Sequence, residues 1–480
     1  MFIGIDLGTS GIKVVLMDAQ GNVLATETSP LQVSRPQPLW SEQDPESWWQ
    51  ALDSAMQALS AQQDLHTVQA IGLSGQMHGA TLLDSANQIL RPAILWNDGR
   101  SEAQCRALER KVPDSRAITG NLMMPGFTAP KLLWVQQHEP DIFSRVAHVL
   151  LPKDYLRWRL SGDFATDMSD AAGTMWLDVA QRDWSDVMLH ACDLSRDQMP
   201  QLCEGNALTG TLHADLATRW KMNAVPLAAG GGDNAAGAVG VGMTEPGQGM
   251  LSLGTSGVYF VVSDGYLSNP ERAVHSFCHA LPQRWHLMSV MLSAASCLEW
   301  AATLTGCKDV PELLAEAARA RDDVPGLWFL PYLSGERTPH NNPSALGAFF
   351  GFTHQHGRPE LARSVLEGVG FALAQGMDVL HECGVQPESI MLIGGGARSA
   401  LWRQMLADIS GQTLDYCHGG DVGPALGAAR LAQQALDPAV TVPTPVLLQR
   451  HQPDPDKMAH YQPHRETFAA LYQQLLPLMK

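Results

Sequence analysis

Two stretches of this 480-residue sequence carry the same five residues in the same setting. Asp6 is followed by Leu7-Gly8-Thr9-Ser10-Gly11, and Leu253-Gly254-Thr255-Ser256-Gly257 repeats that pentapeptide about 240 residues later. Apolar runs flank both copies, residues 2–5 and 12–17 around the first and 250–252 and 258–262 around the second, so each predicts a strand–turn–strand hairpin. A turn built of Gly, Thr and Ser leaves backbone N–H groups pointing into open space, and its glycines permit positive φ, which suits it to hold phosphate. One such hairpin is most often a mere turn. An identical pair points instead to two similar lobes that grip one polyphosphate across a cleft. Only the first copy is preceded by Asp, so its lobe is expected to handle metal and γ-phosphate while the other holds the rest of the nucleotide.

Three further clusters have the residue types for chemistry. The apolar run 225–229 enters Gly230-Gly231-Gly232-Asp233-Asn234, and small residues then open a helix. An Asp there is commonly only an N-cap, but three bare glycines ahead of it let a substrate approach the carboxylate closely. A predicted buried strand, 68–74, ends in Gly75-Gln76-Met77-His78-Gly79, and the carboxyl end of a strand is where open α/β sheets hold ligands. His78 reads equally as a structural or a ligand-facing histidine. Trp96-Asn97-Asp98-Gly99-Arg100 offers the mixture with which sugar sites stack on and hydrogen-bond a polyol, and reads equally as a surface turn with an ion pair. Last, the predicted strand 389–393 runs into Gly394-Gly395-Gly396-Ala397 and a helix over 400–410, a candidate cradle for phosphate and adenosine. Its spacing matches neither the Walker A loop nor G-x-G-x-x-G, which argues against a P-loop kinase and a Rossmann dehydrogenase.

The elements that must position these residues follow from capping and periodicity. Asp44 and Pro45 open a helix with Trp48, Leu52, Ala55, Met56 and Leu59 on one face. Helical patterns recur near 131–135, 154–158, 292–304, 360–380, from 423, and over 466–478. Residues 166–174 are expected to be a polar loop that lines the cleft or caps a helix, and 330–339 a rigid loop able to close over the cleft. Residues 437–445 read as a Pro-rich surface excursion. The expected division is a first lobe, 1–242, for sugar, γ-phosphate and metal, and a second, 243–480, for nucleotide.

Bulk properties bound the function. A chain of this length exceeds one ordinary core. The 32 Lys and Arg against 49 Asp and Glu leave a formal charge of −17, which disfavours nucleic acid as a partner. Eight scattered cysteines form no Cys-x-x-Cys pair and no zinc spacing, and they read as small core residues in a reducing compartment. The longest uncharged run of note, 246–263, is broken by Gly and Pro, so no membrane span is expected. With no basic and apolar leader at the start, a cytoplasmic location is expected.

Taken together, Asp6-Leu7-Gly8-Thr9, Gly232-Asp233-Asn234, the second pentapeptide and Gly394-Gly395-Gly396-Ala397 resemble the FGGY carbohydrate kinases. Residues 126–138 and 347–367 add two more matching patterns, in order along nearly the whole chain. The resemblance implies an α/β fold of two actin-like ATPase (ribonuclease H-like) lobes flanking a central cleft. Within the family, Gly75 to Gly79, Trp96-Asn97-Asp98 and Gly232-Asp233-Asn234 are most similar to the branch that acts on D-xylulose. Members specific for glycerol differ at the first of these places and carry Gln after the catalytic Asp.

The implied reaction is transfer of phosphate from ATP to the terminal hydroxyl of D-xylulose. On that reading Asp233 is the general base and Asp6 holds Mg²⁺ through water. Thr9, Ser10 and Gly11 cradle the γ-phosphate, with Lys13 as a further candidate. Gly254 and Thr255 meet the other phosphates, Gly395, Gly396 and Ala397 the adenosine side. Met77, His78, Asp233, Asn234 and Trp96 orient the sugar. The family also suggests a homodimer and lobes that close on the substrate. A sibling kinase for another ketose, polyol or aldonic acid, an actin- or Hsp70-like ATPase, and a non-catalytic sugar sensor are the competing readings.

Overall fold

The structure, a computed structural model, describes residues 1–324, 326–417 and 423–479. Each pentapeptide seeds one sheet. In the first, β1 (Phe2–Leu7) turns through Gly8 to Ser10 into β2 (Gly11–Met17), which pairs with the half-exposed β3 (Val23–Pro30). On its other side β1 runs parallel to β4 (Ala70–Gly75), and β5 (Leu208–Thr211) and β6 (Pro226–Ala228) complete the order β5-β6-β4-β1-β2-β3. The central strands β1 and β4 read as nearly continuous apolar runs because both of their faces are covered.

The second sheet repeats this plan. β7 (Gly249–Leu253) and β8 (Gly257–Ser263) form the hairpin, and β9 (His275–Cys278) and β10 (Trp285–Met291) extend it beyond β8. β7 runs parallel to β11 (Ile390–Ile393), followed by β12 (Leu414–Cys417) and β13 (Leu447–His451), in the order β9-β10-β8-β7-β11-β12-β13. Strand for strand, β10-β8-β7-β11-β12-β13 matches β3-β2-β1-β4-β6-β5 in direction. The echo in sequence is thus an echo in topology.

Helices cover both sheets. In the first lobe α1 (Pro45–Gln62) is capped by Asp44, whose side chain accepts from the Glu46 N–H, and its Trp48, Leu52, Met56 and Leu59 are fully buried. Further along lie α2 (Thr128–His138), α3 (Pro152–Ser161), the short α4 (Met168–Ala172) and α5 (Asp233–Gly240). In the second lobe α6 (Arg358–His381) buries Val365, Val369 and Leu373 in one core with Leu251, Tyr259 and Ile390, and α7 (Ala400–Ser410) packs beside it.

One helix crosses between the halves. α8 (Pro424–Leu436) comes late in the chain yet covers the first sheet, its Ala425, Leu426, Ala429 and Ala432 packed with Phe2, Val15, Met17 and Ala70. Ala238, Val241 and Met243, from α5 and just beyond it, share a core with Met250, Phe260, Met391 and Cys417 of the second sheet. Glycine makes this exchange possible, since a Cβ on Gly4 would lie 1.8 Å from the Ala425 carbonyl oxygen, one on Gly72 1.9 Å from that of Ala428, and one on Gly427 1.7 Å from that of Ala236.

Three expectations need correction. The hairpin glycines do not use positive φ; that conformation falls instead at Gly230 (+86°), Gly394 (+89°) and His78 (+69°). Gly11 and Gly257 are small for space, because a Cβ would stand 2.8 Å from the Ser29 carbonyl oxygen and 2.8 Å from Leu373 Cδ2 respectively. Residues 166–174 are not a loop, since a strand (Ala165–Asp167) feeds α4, with Asp167 as its buried cap. The last helix, α9 (Pro455–Leu475), begins well before 466, where Asp454 caps it and Pro455 stands at its first position, and it continues through Pro463.

Candidate active site

Between the lobes lies a cavity of about 270 Å³ whose lining comes from both. The first lobe gives Met77, His78, Trp96, Asp233 and Asn234. The second gives residues two apart on adjoining strands, namely His275 and Phe277, and Met288 and Val290, with Val258 of β8, Ser256 in the turn before it, and Arg337. That spacing is the pleat of a strand, which sends alternate residues to one face.

Asp233 is the first residue of α5, not its cap; Gly232 holds the cap position. Its Oδ1 accepts from the Asn234 N–H at 2.7 Å and from Asn234 Nδ2 at 2.9 Å, which leaves Oδ2 for the cavity. Burial pushes its pKa up to about 6, against the pull of those two hydrogen bonds. The glycines before it pack tightly: Gly231 and Gly232 pair with Ser74 and Gly75 of β4, and a Cβ on Gly232 would stand 3.0 Å from Met77 Sδ.

The carboxylate's base is pinned from behind. Ser169 Oγ accepts from the Gly232 N–H at 3.1 Å and donates to Asp167. Asp167 in turn lies 2.9 Å from Lys153 Nζ, which also meets Asp154 at 2.5 Å and Asp170 at 3.3 Å, all fully buried. Burial pulls Lys153 down, but three carboxylates outweigh it and the amine stays charged. Of the two readings of the run 166–174 it is helix capping that the structure shows; the run supports Gly232 from behind and does not line the cavity.

At the end of β1, Asp6 has a buried Oδ1 with no hydrogen-bond partner. Burial and then the charge of Asp233 push its pKa up to about 7, with the Ser74 hydroxyl and Lys13 opposing. The two carboxyls are thus near enough for their charges to interact, and a buried, orphaned carboxylate oxygen near a second carboxyl fits a small divalent cation. Among the described residues no three His, Cys, Asp or Glu side chains converge on one metal site, as suits Mg²⁺, which keeps most of its waters and binds through one or two carboxylates and phosphate. The Lys13 side chain lies across the hairpin from Asp6, its Nζ near Gly423 at the start of α8.

Hydrogen bonds tie the first hairpin to the cavity. Trp96 Nε1 donates to Thr9 Oγ1 at 2.9 Å, and Thr9 Oγ1 donates to Gln76 Oε1 at 3.0 Å. Gln76 and Trp48 both donate to Gln43 Oε1 at 2.9 Å, and Gln43 returns to the Thr9 carbonyl at 2.8 Å. The Thr9 hydroxyl is therefore committed, whereas Ser10 at the tip of the turn is exposed. In the second hairpin the Gly254 and Thr255 carbonyls accept from the N–H groups of Ala295 and Ala294 at 2.9 Å, while the Thr255 side chain is exposed.

His78 is held by its ring and by its backbone. Nδ1 lies 2.8 Å from the Gly173 carbonyl oxygen, which can only accept, so Nδ1 carries the proton and Nε2 keeps a lone pair. Its own carbonyl accepts from the buried Lys131 Nζ at 2.8 Å and from Thr128 Oγ1 at 3.2 Å.

Of the site residues expected from sequence, Met77, His78, Trp96, Asp233 and Asn234 line the cavity, while Asp6, Thr9 to Gly11, Lys13, Gly254, Thr255 and Gly395 to Ala397 lie outside its lining. Asp98 and Arg100 form a buried ion pair at 2.7 Å beneath the site, with Glu42 2.8 Å from Arg100, so of that cluster only Trp96 is cavity-lining. Ala397 is buried in the second-lobe core; its N–H bonds to Gly394 and its carbonyl accepts from Arg403 at 2.6 Å, so it shapes the loop and presents nothing to a ligand. Gly395, by contrast, is exposed with open space around it, and Gly396 lies against Leu253 at the second hairpin.

Family models decide the class. That of the FGGY carbohydrate kinases' N-terminal domain matches residues 1–240, and that of their C-terminal domain residues 249–436. The chain belongs to the FGGY family of carbohydrate kinases. This FGGY kinase is 70% identical to the xylulose kinase of Escherichia coli (strain K12) over 483 residues and 66% identical to that of Klebsiella pneumoniae over 484, with all of both chains covered in each case. Its fold superposes on the crystal structure of a xyloylose kinase from Brucella ovis with TM-score 0.95 at 45% identity, covering 99% of each chain. The two-lobed actin-like architecture of the FGGY kinases is thus the fold of this chain. No helix among the described residues is long and apolar enough to cross a membrane.

The second-lobe wall of the cavity is what sequence reasoning missed. His275 with Phe277 and Met288 with Val290 carry a two-residue period, but apolar alternation of this kind is also how a strand fills a core. Arg337 lies in the loop expected to close over the cleft, and its place there was the available signal, masked by the adjacent Glu336.

Proposed function

We propose that this FGGY kinase transfers the γ-phosphoryl group of ATP to the terminal, C5, hydroxyl of D-xylulose. The observation that carries the reading is the open Oδ2 of Asp233 in a cavity walled by both lobes, with Asp6 close enough to feel its charge. The likeness to xylulose kinases over the full length supplies the sugar.

Asp233 takes the proton from the attacking hydroxyl as the P–O bond forms, a role worth about 10²- to 10⁴-fold in rate. A pKa of about 6 keeps it ionised at neutral pH yet basic enough to accept that proton. Asn234 aims it by holding Oδ1. His78 Nε2 and Trp96 orient the sugar, with Met77 beneath. Asp6 is placed to hold Mg²⁺, which when bound neutralises charge on the transferring phosphates. Backbone N–H groups of Thr9, Ser10 and Gly11, with Lys13, receive the γ-phosphate, and Gly254, Thr255, Gly395 and Gly396 receive the remainder of the nucleotide. Closure of the lobes excludes water that would otherwise take the phosphoryl group.

A coupled ADP-release assay across pentuloses, hexuloses, glycerol and gluconate tests the reading. D-Xylulose should give the highest kcat/KM; a higher value for gluconate or glycerol rejects the substrate assigned.

A further inference from the structure

The second lobe contributes to the cavity a cation whose one charged neighbour, Glu336, acts on it through space and not through an ion pair. Arg337 lines it together with His78, Asp233 and Asn234, yet among the described residues its guanidinium enters no hydrogen bond or ion pair. The neighbouring Glu336 does not neutralise it. Glu336 Oε1 is taken by the Leu292 N–H at 3.0 Å and the Arg337 N–H at 2.7 Å, and burial pushes its pKa up to about 8. The site is built, because Thr338 fixes the loop to β10: its N–H donates to the Val290 carbonyl at 3.0 Å, and its Oγ1 accepts from the Val290 N–H at 3.1 Å and donates to the Ala273 carbonyl at 2.8 Å.

The cavity is consequently polar from end to end. Asp233 lines the cavity from the first lobe and Arg337 from the second, on facing walls; the Arg337 charge, after burial, depresses the pKa of His275, and it adds a smaller effect at His78, where burial and Lys131 come first. Carboxylate and guanidinium stand at opposite poles. A guanidinium has five donors and no acceptor, so its ligand must present an acceptor. The carboxylate pole takes the proton of a hydroxyl. An open-chain 2-ketose matches both, with a primary hydroxyl at one end and, near the other, a carbonyl oxygen that can only accept.

We propose that Arg337 recognises the ketone end of the sugar, donating to the carbonyl oxygen of a substrate whose far hydroxyl sits at Asp233, and so selects 2-ketoses over the corresponding polyols. This rests on the sugar-kinase reading above and adds its specificity element. It also follows that a carboxylate placed where the ketone sits, as in an aldonic acid, is a better partner for this pole than an alcohol.

The test compares Arg337→Gln and Arg337→Lys with the parent on D-xylulose and on xylitol and D-arabinitol, which lack the carbonyl. For Arg337→Gln, kcat/KM on D-xylulose should fall about 10- to 100-fold, mainly through KM, with partial recovery in Arg337→Lys. On the polyols, and in KM for ATP, the change should stay within about threefold. A parallel fall on ketose and polyol, or a D-xylulose KM within about threefold of the parent, overturns the proposal.

Calorimetric binding to the parent gives a second reading that needs no variant. D-Xylonate should bind at least about tenfold more tightly than xylitol, and equal affinities overturn the proposal. A parent that binds these ligands as expected but does not phosphorylate D-xylulose refutes the substrate assigned, and leaves the recognition by Arg337 standing.

Discussion

The two pentapeptide hairpins have the same sequence, the same strand pairing and the same place in matching sheets, yet their surroundings give them different work. In the first, the residue before the turn is Asp6, its carboxylate oxygen buried and unpartnered; in the second it is Ser252, on the strand β7. In the first, the threonine hydroxyl faces inward and links Trp96 to Gln76; in the second it is exposed. The two hairpins share one backbone plan, and what differs between them is the single side chains beside it. The carboxylates are on the first lobe, while the unpaired guanidinium is on the second.

If that division holds, the largest loss comes from the first lobe. Asp233→Asn should lower kcat by about 10²- to 10⁴-fold with little change in KM for ATP; activity within tenfold of the parent, in a folded protein, would falsify the assignment of the base. The sharper contrast is between equivalent positions. Asp6→Asn should cost on the order of 10²-fold in kcat and raise the Mg²⁺ concentration needed for half-maximal rate, whereas Ser252→Ala should stay within about fivefold. Equal losses at the two positions break the comparison.

The threonines differ in which substrate they affect. Thr9→Val leaves the Trp96 indole N–H and the Gln76 amide oxygen without their partner, and should raise KM for D-xylulose about 5- to 20-fold. Thr255→Val touches only the nucleotide side, and its effect, about two- to fivefold, should fall on KM for ATP. Steady-state kinetics with each substrate varied in turn would show whether the two effects separate or coincide.

The smallest effect concerns stability. Burial raises the Glu336 pKa from 4.5 to about 8, so the folded protein holds a proton that the unfolded chain releases. Its contribution is greatest below pH 4.5 and is lost as pH rises toward about 8. Melting curves at intervals across that window should show Tm of the parent falling more steeply than that of Glu336→Gln. Parallel curves would show that Glu336 is ionised, and would then supply Arg337 with the counter-charge it otherwise lacks.

Much of this was legible in the sequence because the informative residues are local. The repeated pentapeptide, the three glycines before Asp233 and the strand ending at Met77 and His78 each state their geometry within ten residues, and all reached one cleft. What stayed hidden depends on partners far along the chain. The ion pair of Asp98 with Arg100 is one of two local readings, whereas its burial, with Asp98 also accepting from the Ser41 N–H, is not a local signal; and nothing local distinguishes Ala397, enclosed by the second core, from the exposed Gly395 two positions earlier. Nor does the alanine-rich pattern of α8 reveal that it covers the sheet of the other lobe, since a small-residue face fits either. The glycines were noticed for conformational freedom, whereas at Gly4, Gly72 and Gly427 their value is thinness.

That thinness has a mechanical consequence. At Gly427 and Ala236 the two exchanged helices meet main chain against main chain, with Ala235 and Val239 packed against Leu431 alongside. If the lobes close on the substrate, such a crossing is their fulcrum: the two helices share an extensive contact there, and the long arms of the two sheets turn a small angle into a large change of gap at the sugar. Bulk added at the fulcrum would therefore be felt at the distant jaws, where it would hold them apart.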